Sequence, residues 1–406
     1  MSRSGDGHVL VTGVGAMTPL GADAPSSWSA MLAGKSGVRF LEEEWAAALP
    51  VQVAAGLTVD PAALLPRAEA RKLDRGEQIA VLSAREAWQD AGAPEVEPER
   101  LAVVIGTGTG GVLTTLAQDD AFEQAGARRL SPFTVPMLMP NGPAAWVSMD
   151  LGAKGGARTP VSACASGAEA LALGQDLIRA GRADVVVAGG VEACLHPFTL
   201  AAFAQMKAVS TQGGEPEAVS RPFDAGRSGF VMGEGAGIMV LERADLARAR
   251  GARAYGTLAG SAVNSSADHI TASDADGQTA AIEGALRDAG LAPVDIGLVH
   301  AHATSTESGD LAEAEAIGRA VGTHPAVTAT KSMTGHMLGA SGTLGAMAAL
   351  LALRDGRAPA TRNLDTLDPR VDLDVVRGEA RPGQWSAALA NAFGFGGHNV
   401  SLVFTR

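Results

Sequence analysis

Short apolar runs and longer helical patterns alternate along the whole chain. Stretches of apolar, β-branched residues predict strands at residues 8–12, 101–105, 184–188, 238–241, 298–302, 327–331 and 400–404. Between them, apolar residues at helical spacing predict helices at residues 70–90, 165–180, 279–288 and 310–321. Strands that alternate with helices indicate an α/β protein whose sheets are covered by helices. The pattern is similar before and after residue 250, which suggests two related halves, 1–250 and 251–406.

The composition narrows the class of protein. The chain has 406 residues, of which 46% are hydrophobic and 19% charged, enough for one large domain or two closely packed ones. Two cysteines in such a long chain argue against a disulfide framework and suit a reducing cytosol. MSRSGDG at the start has no apolar leader character, and the longest weakly polar run, residues 338–353, is shorter than the ~20 residues that span a bilayer. With a net charge of −12, we expect a cytoplasmic protein that binds neither nucleic acid nor membrane.

Two glycine-rich turns are candidates for a nucleotide-binding loop. GVGAMT, at residues 13–18, has Thr18 where a dinucleotide fingerprint has its third glycine. GTGTGG, at residues 106–111, has different spacing, and no P-loop lysine follows either turn. We interpret both as tight turns at strand ends and expect no nicotinamide, flavin or nucleotide cofactor.

Cys164 is the candidate nucleophile. It lies in TPVSACASGAEA, residues 159–170, between a β-prone run and a helix of small residues. A helix N-terminus favours an anion, so a thiol there is expected to ionise more readily than a free one, and the thiolate is the reactive form. The alternative is a small buried apolar residue, which is what most free cysteines are.

Two histidines and a lysine follow predicted strands in the second half. LVHAHATSTESGD, at residues 298–310, puts His302 at a strand end, and TATKSMTGHMLGASG, at residues 328–342, puts Lys331 at a strand end and His336 at the start of an Ala/Leu helix. A histidine at a helix N-terminus is biased towards its neutral form, which donates one N–H without a full charge. His300 shares a strand face with His302, but no third ligand has suitable spacing, so we expect a structural His300 and no metal site.

Together with NAFGFGGHN at residues 391–399, these residues closely resemble the β-ketoacyl-acyl-carrier-protein synthases, the elongating condensing enzymes of the thiolase superfamily. The likeness runs from VLVTGVGAMTPLG to SLVFTR and includes SRPFDAGRSGFVMGEGAG at residues 220–237. It implies a thiolase-like five-layer αβαβα fold built from two similar halves, in a dimer. The implied reaction is the decarboxylative condensation of an acyl-cysteine enzyme with malonyl-carrier protein in fatty acid elongation. Both substrates would arrive on the phosphopantetheine arm of an acyl carrier protein, with no further cofactor.

The resemblance assigns a role to each matching residue. Cys164 would be the nucleophile, His302 and His336 would donate N–H groups to the enolate oxygen, and Lys331 would support the histidines electrostatically. The backbone N–H groups of Cys164 and Phe395 would form the oxyanion hole. Phe395 would also act as a gate, next to a second aromatic residue at the pocket mouth, and two threonines would bind the pantetheine arm. The residues implied to contact substrate in this way are Phe230, Thr304, Thr306 and Phe395.

Three features depart from the family's pattern. Ala303 follows the first histidine where glycine is common, a change that fits if the local φ stays negative. Gly345 replaces a glutamate that pairs with the family's lysine, so the lysine needs another partner, for which Glu313 is the candidate. Large apolar residues along the acyl pocket are replaced by Thr109 and Thr134, which weakens the case for a plain saturated acyl chain.

An acidic carrier protein would be repelled by a chain of net charge −12, so docking would need a local positive patch. Arg71 and Arg75 are four residues apart in the predicted helix and are expected to share one face. The resemblance places carrier contacts in these regions. The candidate docking residues are Arg67, Arg71, Lys72, Arg75 and Lys207.

The alternatives separate on single residues. A thiolase would have a second catalytic cysteine near the C-terminus, where this chain has GFGGHN. A starter-type condensing enzyme would have asparagine at position 336, and a non-catalytic chain-length partner would lack Cys164. The remaining alternative is the ketosynthase subunit of a type II polyketide synthase, which works with a chain-length-factor partner. Both a homodimer and such a heterodimer stay open.

Overall fold

The computed structural model describes residues 8–406, so the opening MSRSGDG lies outside the described residues. Apolar, largely β-branched sequences form the long strands, and most of their residues are buried. The strands are β1 (Val9–Met17), β2 (Arg39–Phe40), β3 (Val53–Ala54), β4 (Leu101–Gly106), β5 (Ala157–Arg158), β6 (Val185–Glu192), β7 (Gly235–Arg243), β8 (Gly256–Ser265), β9 (Ile296–His300), β10 (Ala326–Thr328), β11 (Arg357–Ala358), β12 (Asp374–Val375), β13 (Arg381–Pro382), β14 (Ala387–Gly394) and β15 (His398–Thr405).

The helices cover these strands or connect them. The helices are α1 (Ala24–Leu32), α2 (Arg67–Ala70), α3 (Arg75–Asp90), α4 (Val112–Ala125), α5 (Thr134–Leu138), α6 (Gly142–Leu151), α7 (Ser166–Arg179), α8 (Pro197–Gln205), α9 (Ala244–Ala249), α10 (Ala275–Ala289), α11 (Glu307–Ala320), α12 (Lys331–Thr334) and α13 (Ser341–Asp355). Within residues 8–406, no helix is both long enough and apolar enough to cross a membrane.

The sheet topology repeats between the two halves of the chain. In the first half the strand order is β1-β7-β6-β4-β5, with two antiparallel pairings followed by two parallel ones. In the second half the order β8-β15-β14-β9-β10 has the same sequence of pairings, and β12 adds a further parallel strand. A short antiparallel pairing of β1 with β8 joins the two arrangements. The repeat suggested by the sequence pattern is therefore present in the fold.

Two helices of small residues form the middle layer. The helices α7 and α13 pack against each other and against strands of both halves. In α13, every residue from Ser341 to Leu353 is buried, which explains its Gly- and Ala-rich sequence. The helices α3 and α6 cover the outer side of the first half, and α10 and α11 cover that of the second. This is the expected αβαβα five-layer fold.

Two predicted strands end earlier in the structure than expected, and one predicted helix is broken. The strands predicted to end at 302 and 331 end at His300 and Thr328, and Lys331 instead begins α12. The helix predicted for residues 70–90 is broken into α2 and α3. Asp74 caps α3: its side chain accepts the N–H of Gly76, and Glu77 accepts the N–H of Asp74. Such a capping box begins a helix, so the chain turns there and does not continue α2.

Candidate active site

Cys164 lies at the start of α7, where the chain turns sharply. Ala163 has a φ of 51°, in the left-handed region that L-residues rarely adopt. The short 3₁₀ turn Ala163–Ala165 continues directly into α7. Gly394, at the end of β14, packs against this turn, and a Cβ there would come within 2.3 Å of the carbonyl oxygen of Ser162. Glycine at this position therefore lets the C-terminal loop approach the thiol.

His336 is in hydrogen-bonding contact with Cys164. Its Nε2 lies 3.0 Å from Sγ of Cys164, and its Nδ1 lies 3.0 Å from Oγ of Ser341. Ser341 Oγ also accepts the N–H of Met337 at 2.9 Å. Because a serine hydroxyl both donates and accepts, Ser341 is compatible with either neutral tautomer of the ring. The prediction that His336 begins a helix is wrong. Its N–H donates to the carbonyl of Val231, and α13 starts five residues later at Ser341.

His302 and Lys331 lie beside this pair. The ring centroids of His302 and His336 are 5.4 Å apart, with the rings nearly perpendicular at 87°. Nζ of Lys331 donates to the carbonyl oxygen of His302 and lies 3.5 Å from Nδ1 of the same residue. A lysine ammonium has no acceptor, so Nδ1 of His302 must accept and Nε2 must carry the hydrogen. Lys331 thus holds His302 in the tautomer that offers an Nε2–H donor.

Glu313, the expected ion-pair partner of Lys331, has a different role in the structure. Its carboxylate oxygens accept the backbone N–H of His302 at 2.7 Å and of Ala303 at 2.6 Å, and the side-chain amide of Asn391 at 3.1 Å. Within residues 8–406 it forms no direct ion pair with Lys331. Its charge still raises the pKa of Lys331 against the effect of burial. The carboxylate therefore fixes the backbone after β9, and Ala303 fits there because its φ lies outside the left-handed region.

His300 occupies the space beside Gly345. Its Nε2 lies 2.9 Å from Oγ1 of Thr330, whereas its buried Nδ1 has no partner in the described residues. A Cβ at position 345 would lie 2.7 Å from Nδ1. Burial and the charge of Lys331 lower the pKa of His300 to about 3, so the ring is neutral. Among residues 8–406, no group of three or more His, Cys, Asp or Glu side chains is arranged to hold a metal ion.

The site electrostatics correct one expectation. Burial raises the pKa of the Cys164 thiol to about 12, although the charge of Lys331 and the backbone N–H groups of Phe395 and Cys164 act in the opposite direction. The resting thiol is therefore neutral. The sequence had suggested easier ionisation, because the thiol lies at the start of a helix, and that prediction is wrong. Burial and Lys331 hold the pKa of both His302 and His336 well below the usual value, so both rings are neutral. Burial lowers the pKa of Lys331 to about 8.

The GTGTGG turn holds the protein's own carboxylate. Glu192, at the end of β6, accepts the N–H of Gly108 at 2.8 Å and the hydroxyl of Thr109 at 2.7 Å. It also accepts the hydroxyl of Thr107 and the N–H of Gly339, which lies three residues after His336. Burial raises the pKa of Glu192, and these donors oppose that rise. Thr109 therefore serves this carboxylate and does not line the cavity described next.

A narrow cavity of about 70 Å³ leads to Cys164. The hydroxyls of Thr304 and Thr306, 3.0 Å apart, lie in its wall with Phe230 and Phe395. Thr134 is elsewhere: its hydroxyl contacts Gln118 and the carbonyl of Ser131. Sequence reasoning missed several wall residues, because their positions after strands and helices carry no catalytic signal. Among the missed residues are Phe203, Ser266, Gln278, Leu338, Phe393 and Asn399.

The candidate docking residues fall into different settings. Arg75 is bound to Glu234 at 2.7 Å and to Asp60 at 3.3 Å, and is thus held by acidic side chains. It does not share a helical face with Arg71, as the sequence suggested, because α2 ends before Arg71 and α3 begins at Arg75. Arg67 begins α2, and Nζ of Lys72 lies 5.9 Å from the ring centroid of Phe133. Lys207 is exposed on a groove that also contains Thr306 and Phe395.

Comparison with known proteins decides the family. Residues 6–247 match the family described as Beta-ketoacyl synthase, N-terminal domain, and residues 255–365 match Beta-ketoacyl synthase, C-terminal domain. The chain belongs to the beta-ketoacyl synthase family. Among its relatives in the family is the 3-oxoacyl-(acyl-carrier-protein) synthase 2 of Mycobacterium tuberculosis H37Rv, 44% identical over 98% of this chain and 97% of that protein. The protein of the same name from Synechocystis is 40% identical, with 98% of each chain covered.

Solved beta-ketoacyl synthase structures share the fold over the full chain. A Beta-ketoacyl synthase from Burkholderia phymatum has a TM-score of 0.91 at 35% identity, covering 98% of this chain and 99% of that one. A ketosynthase solved with its type II polyketide synthase acyl-carrier protein and bound to a hexaketide has a TM-score of 0.91 at 29% identity, with 98% of each chain covered. The thiolase-like fold expected from the sequence is therefore confirmed.

Proposed function

We propose that the protein is a 3-oxoacyl-acyl-carrier-protein synthase, an acyltransferase that joins an acyl group on Cys164 to a malonyl-derived two-carbon unit. The observation that carries the proposal is the 3.0 Å contact between Sγ of Cys164 and Nε2 of His336, next to an Nε2–H of His302 held in place by Lys331. His336 can act as a neutral base beside the thiol, which suits acyl transfer. His302 and His336 can each donate a neutral N–H to an enolate oxygen, which suits the condensation that follows.

In the first half-reaction, Sγ of Cys164 attacks the thioester carbonyl carbon of the acyl-carrier substrate. The thiol proton passes to Nε2 of His336, whose Nδ1–H is accepted by Ser341. The backbone N–H groups of Cys164 and Phe395, which act on the sulfur of Cys164, would hold the tetrahedral oxyanion. The carbon–sulfur bond to the carrier arm breaks, and the departing sulfur takes the proton from His336. The products are acyl-Cys164 and the free carrier thiol.

In the second half-reaction, the malonyl thioester loses CO₂, and the electron pair of the broken carbon–carbon bond forms an enolate. The Nε2–H groups of His302 and His336 donate to the enolate oxygen. For this step the Ser341 hydroxyl turns to donate to Nδ1 of His336, which leaves the hydrogen on Nε2. The enolate carbon attacks the acyl-Cys164 carbonyl and releases a 3-oxoacyl chain that is two carbons longer. The Cys164 thiolate then takes a proton from water.

The test is a two-stage assay on the purified protein. Intact-mass analysis with an acyl-carrier should show one acyl group on Cys164, and added malonyl-carrier should release CO₂ and the 3-oxoacyl product. Cys194 is also buried and free, so Cys194→Ala is a matched control that should keep both activities. Product formation by Cys164→Ala at the wild-type rate would overturn the proposal.

Fatty acid elongation is the pathway that the relatives' names favour, and we propose it for this chain. The second candidate is a type II polyketide ketosynthase. It is favoured by the structural match of this chain to the ketosynthase bound to a hexaketide. A panel of saturated and 3-oxoacyl carriers separates the two. Preferential acylation of Cys164 by saturated chains supports elongation, and preference for 3-oxo chains supports the polyketide role.

We also propose that the chain consists of two structural halves that meet near residue 250, the first with the nucleophile and the second with the histidines. We further propose that the chain works as a dimer. Apolar side chains half or more exposed occur on α5, on α6 and just after the edge strand β5, namely Val135, Met149 and Val161. The elements α5, α6 and β5 lie next to one another, which suits a subunit interface. Sedimentation should show a dimer that Met149→Glu with Val161→Glu converts to a monomer. A wild-type monomer would contradict this.

A further inference from the structure

Gln278, in the first turn of α10, lines the same cavity as Cys164. The residue is 3% exposed, and its Oε1 has no hydrogen-bond partner in the described residues. Buried carbonyl oxygens in folded proteins are almost always hydrogen-bonded. Gln278 is part of the cavity wall, so a molecule bound there is a candidate source of the missing donor.

The cavity has two chemically different sides. Near Cys164 it is apolar, with Phe203, Phe230 and Leu338 packed in one cluster with the thiol. The other side is polar. Gly309 lies on this polar side, where a Cβ would be 2.5 Å from the hydroxyl oxygen of Thr306 and 3.6 Å from that of Ser273. Apart from Cys164 and the two histidines, the polar residues of the wall are Ser266, Thr271, Ser273, Asp274, Gln278, Thr304, Thr306 and Asn399.

The turn that carries Gln278 is fixed to this polar side. The side-chain amide of Asn264 donates to the carbonyl of Gly277 at 2.9 Å. Asn399 donates to Oδ1 of Asn264 and to Oγ of Ser266, each at 2.9 Å. Asp274 caps α10 by accepting the N–H of Gly277. The position of Gln278 is therefore set before any ligand binds, which lowers the entropic cost of recognition.

A saturated acyl chain has no N–H or O–H to offer Oε1, whereas the arm that carries the chain has amide N–H groups. We propose that Gln278 is a substrate-binding residue whose Oε1 accepts an amide N–H of the phosphopantetheine arm. This inference rests on the proposed function, since it takes a pantetheine thioester as the substrate. The hydroxyls of Thr304 and Thr306 supply donors for the carbonyl of an amide on the same side of the cavity.

The test compares acylation of Cys164 by two hexanoyl thioesters, one of pantetheine and one of ethanethiol, which has no amide. Gln278→Met keeps the length of the side chain and removes the acceptor. It should lower kcat/KM for the pantetheine thioester by roughly tenfold, the effect of one lost hydrogen bond, and leave the ethanethiol thioester unchanged. Thr279→Val is the matched control on the same helix, because Thr279 donates to Ala275 and does not line the cavity.

Equal losses on both thioesters, or no loss on the pantetheine thioester, would overturn the proposal. A third substrate, 3-hydroxyhexanoyl-ethanethiol, places a donor on the acyl chain instead, and a loss confined to it would also overturn the proposal. If Gln278→Met does not fold, as judged by circular dichroism, Gln278→Ala serves in its place. The wild-type protein is the reference throughout. If no thioester acylates it, the proposed function fails as well. If the wild type is acylated and Gln278→Met has the same kcat/KM for the pantetheine thioester, only the role of Gln278 is rejected.

Discussion

The imidazole of His300 fills the space into which a side chain at Gly345 would extend. A Cβ at position 345 would lie 2.7 Å from Nδ1 of His300 and 2.9 Å from its Cε1, closer than real contacts allow. The glutamate that the family places on this helix is therefore incompatible with the histidine in its present position. Position 345 therefore has no carboxylate that could pair with Lys331, and the ring of His300 that fills this space is neutral.

Gly345→Ala should destabilise the fold by roughly 1–3 kcal/mol, because the methyl group must displace the buried ring of His300. Gly318→Ala is the control, since a Cβ there meets nothing within 4 Å. Urea unfolding of Gly345→Ala, His300→Ala and the double variant measures the coupling. If the two losses simply add, the packing relationship is wrong.

Cys164→Ala and Cys164→Gln should abolish condensation and leave the protein folded. The chain's other cysteine, Cys194, lies two residues after β6 and is fully buried, so it cannot replace the nucleophile. Acyl- and malonyl-carrier assays with circular dichroism measure this. Elongation by the alanine variant near the wild-type rate would remove Cys164 from the mechanism.

His302→Ala and His336→Ala should each lower malonyl decarboxylation by about 10²–10³-fold, the usual cost of one missing oxyanion donor. His302→Ala should affect acylation of Cys164 much less, since it is His336 that contacts the thiol. The CO₂ release and the acyl-enzyme mass are measured separately. A His302 variant that decarboxylates normally but is not acylated would reverse the assigned roles.

Malonyl decarboxylation should decrease as the pH rises through about 8. Burial lowers the pKa of Lys331 to about 8, so its ammonium is charged below that pH and neutral above it. The neutral amine supports the His302 tautomer less strongly. Lys331→Arg keeps its charge over this range and should lose the alkaline decrease. A wild-type rate that stays flat from about pH 6 to about pH 10 would contradict this role.

Lys207→Glu with Arg71→Glu should raise the KM for the carrier protein several-fold at low salt and less at high salt. Turnover of a pantetheine thioester should stay unchanged, since it does not need a charged surface. Lys35→Glu is the control for an exposed cation elsewhere. Equal losses with both substrates would show that the two residues support the fold and do not dock the carrier.

The sequence predicted the layered fold, because hydrophobic periodicity is a local signal. The motifs around Cys164 and His336 led to side chains that the fold brings together. Sequence reasoning failed where burial or distant contacts decide the outcome. The thiol of Cys164 is desolvated, so its pKa rises despite the helix start. Glu313 and Ser341 act through partners that only the folded chain brings near them. The sequence around Gln278 has no pattern that predicts a cavity.

Glu192 makes the geometry of the site sensitive to the relative position of the two halves. Its carboxylate accepts from Gly108 in the half that carries the nucleophile and from Gly339 in the half that carries the histidines. A slide of one half against the other would strip donors from a buried charge, which is costly. The distance between the Cys164 thiol and the His336 imidazole is thus maintained by a buried carboxyl group outside this pair.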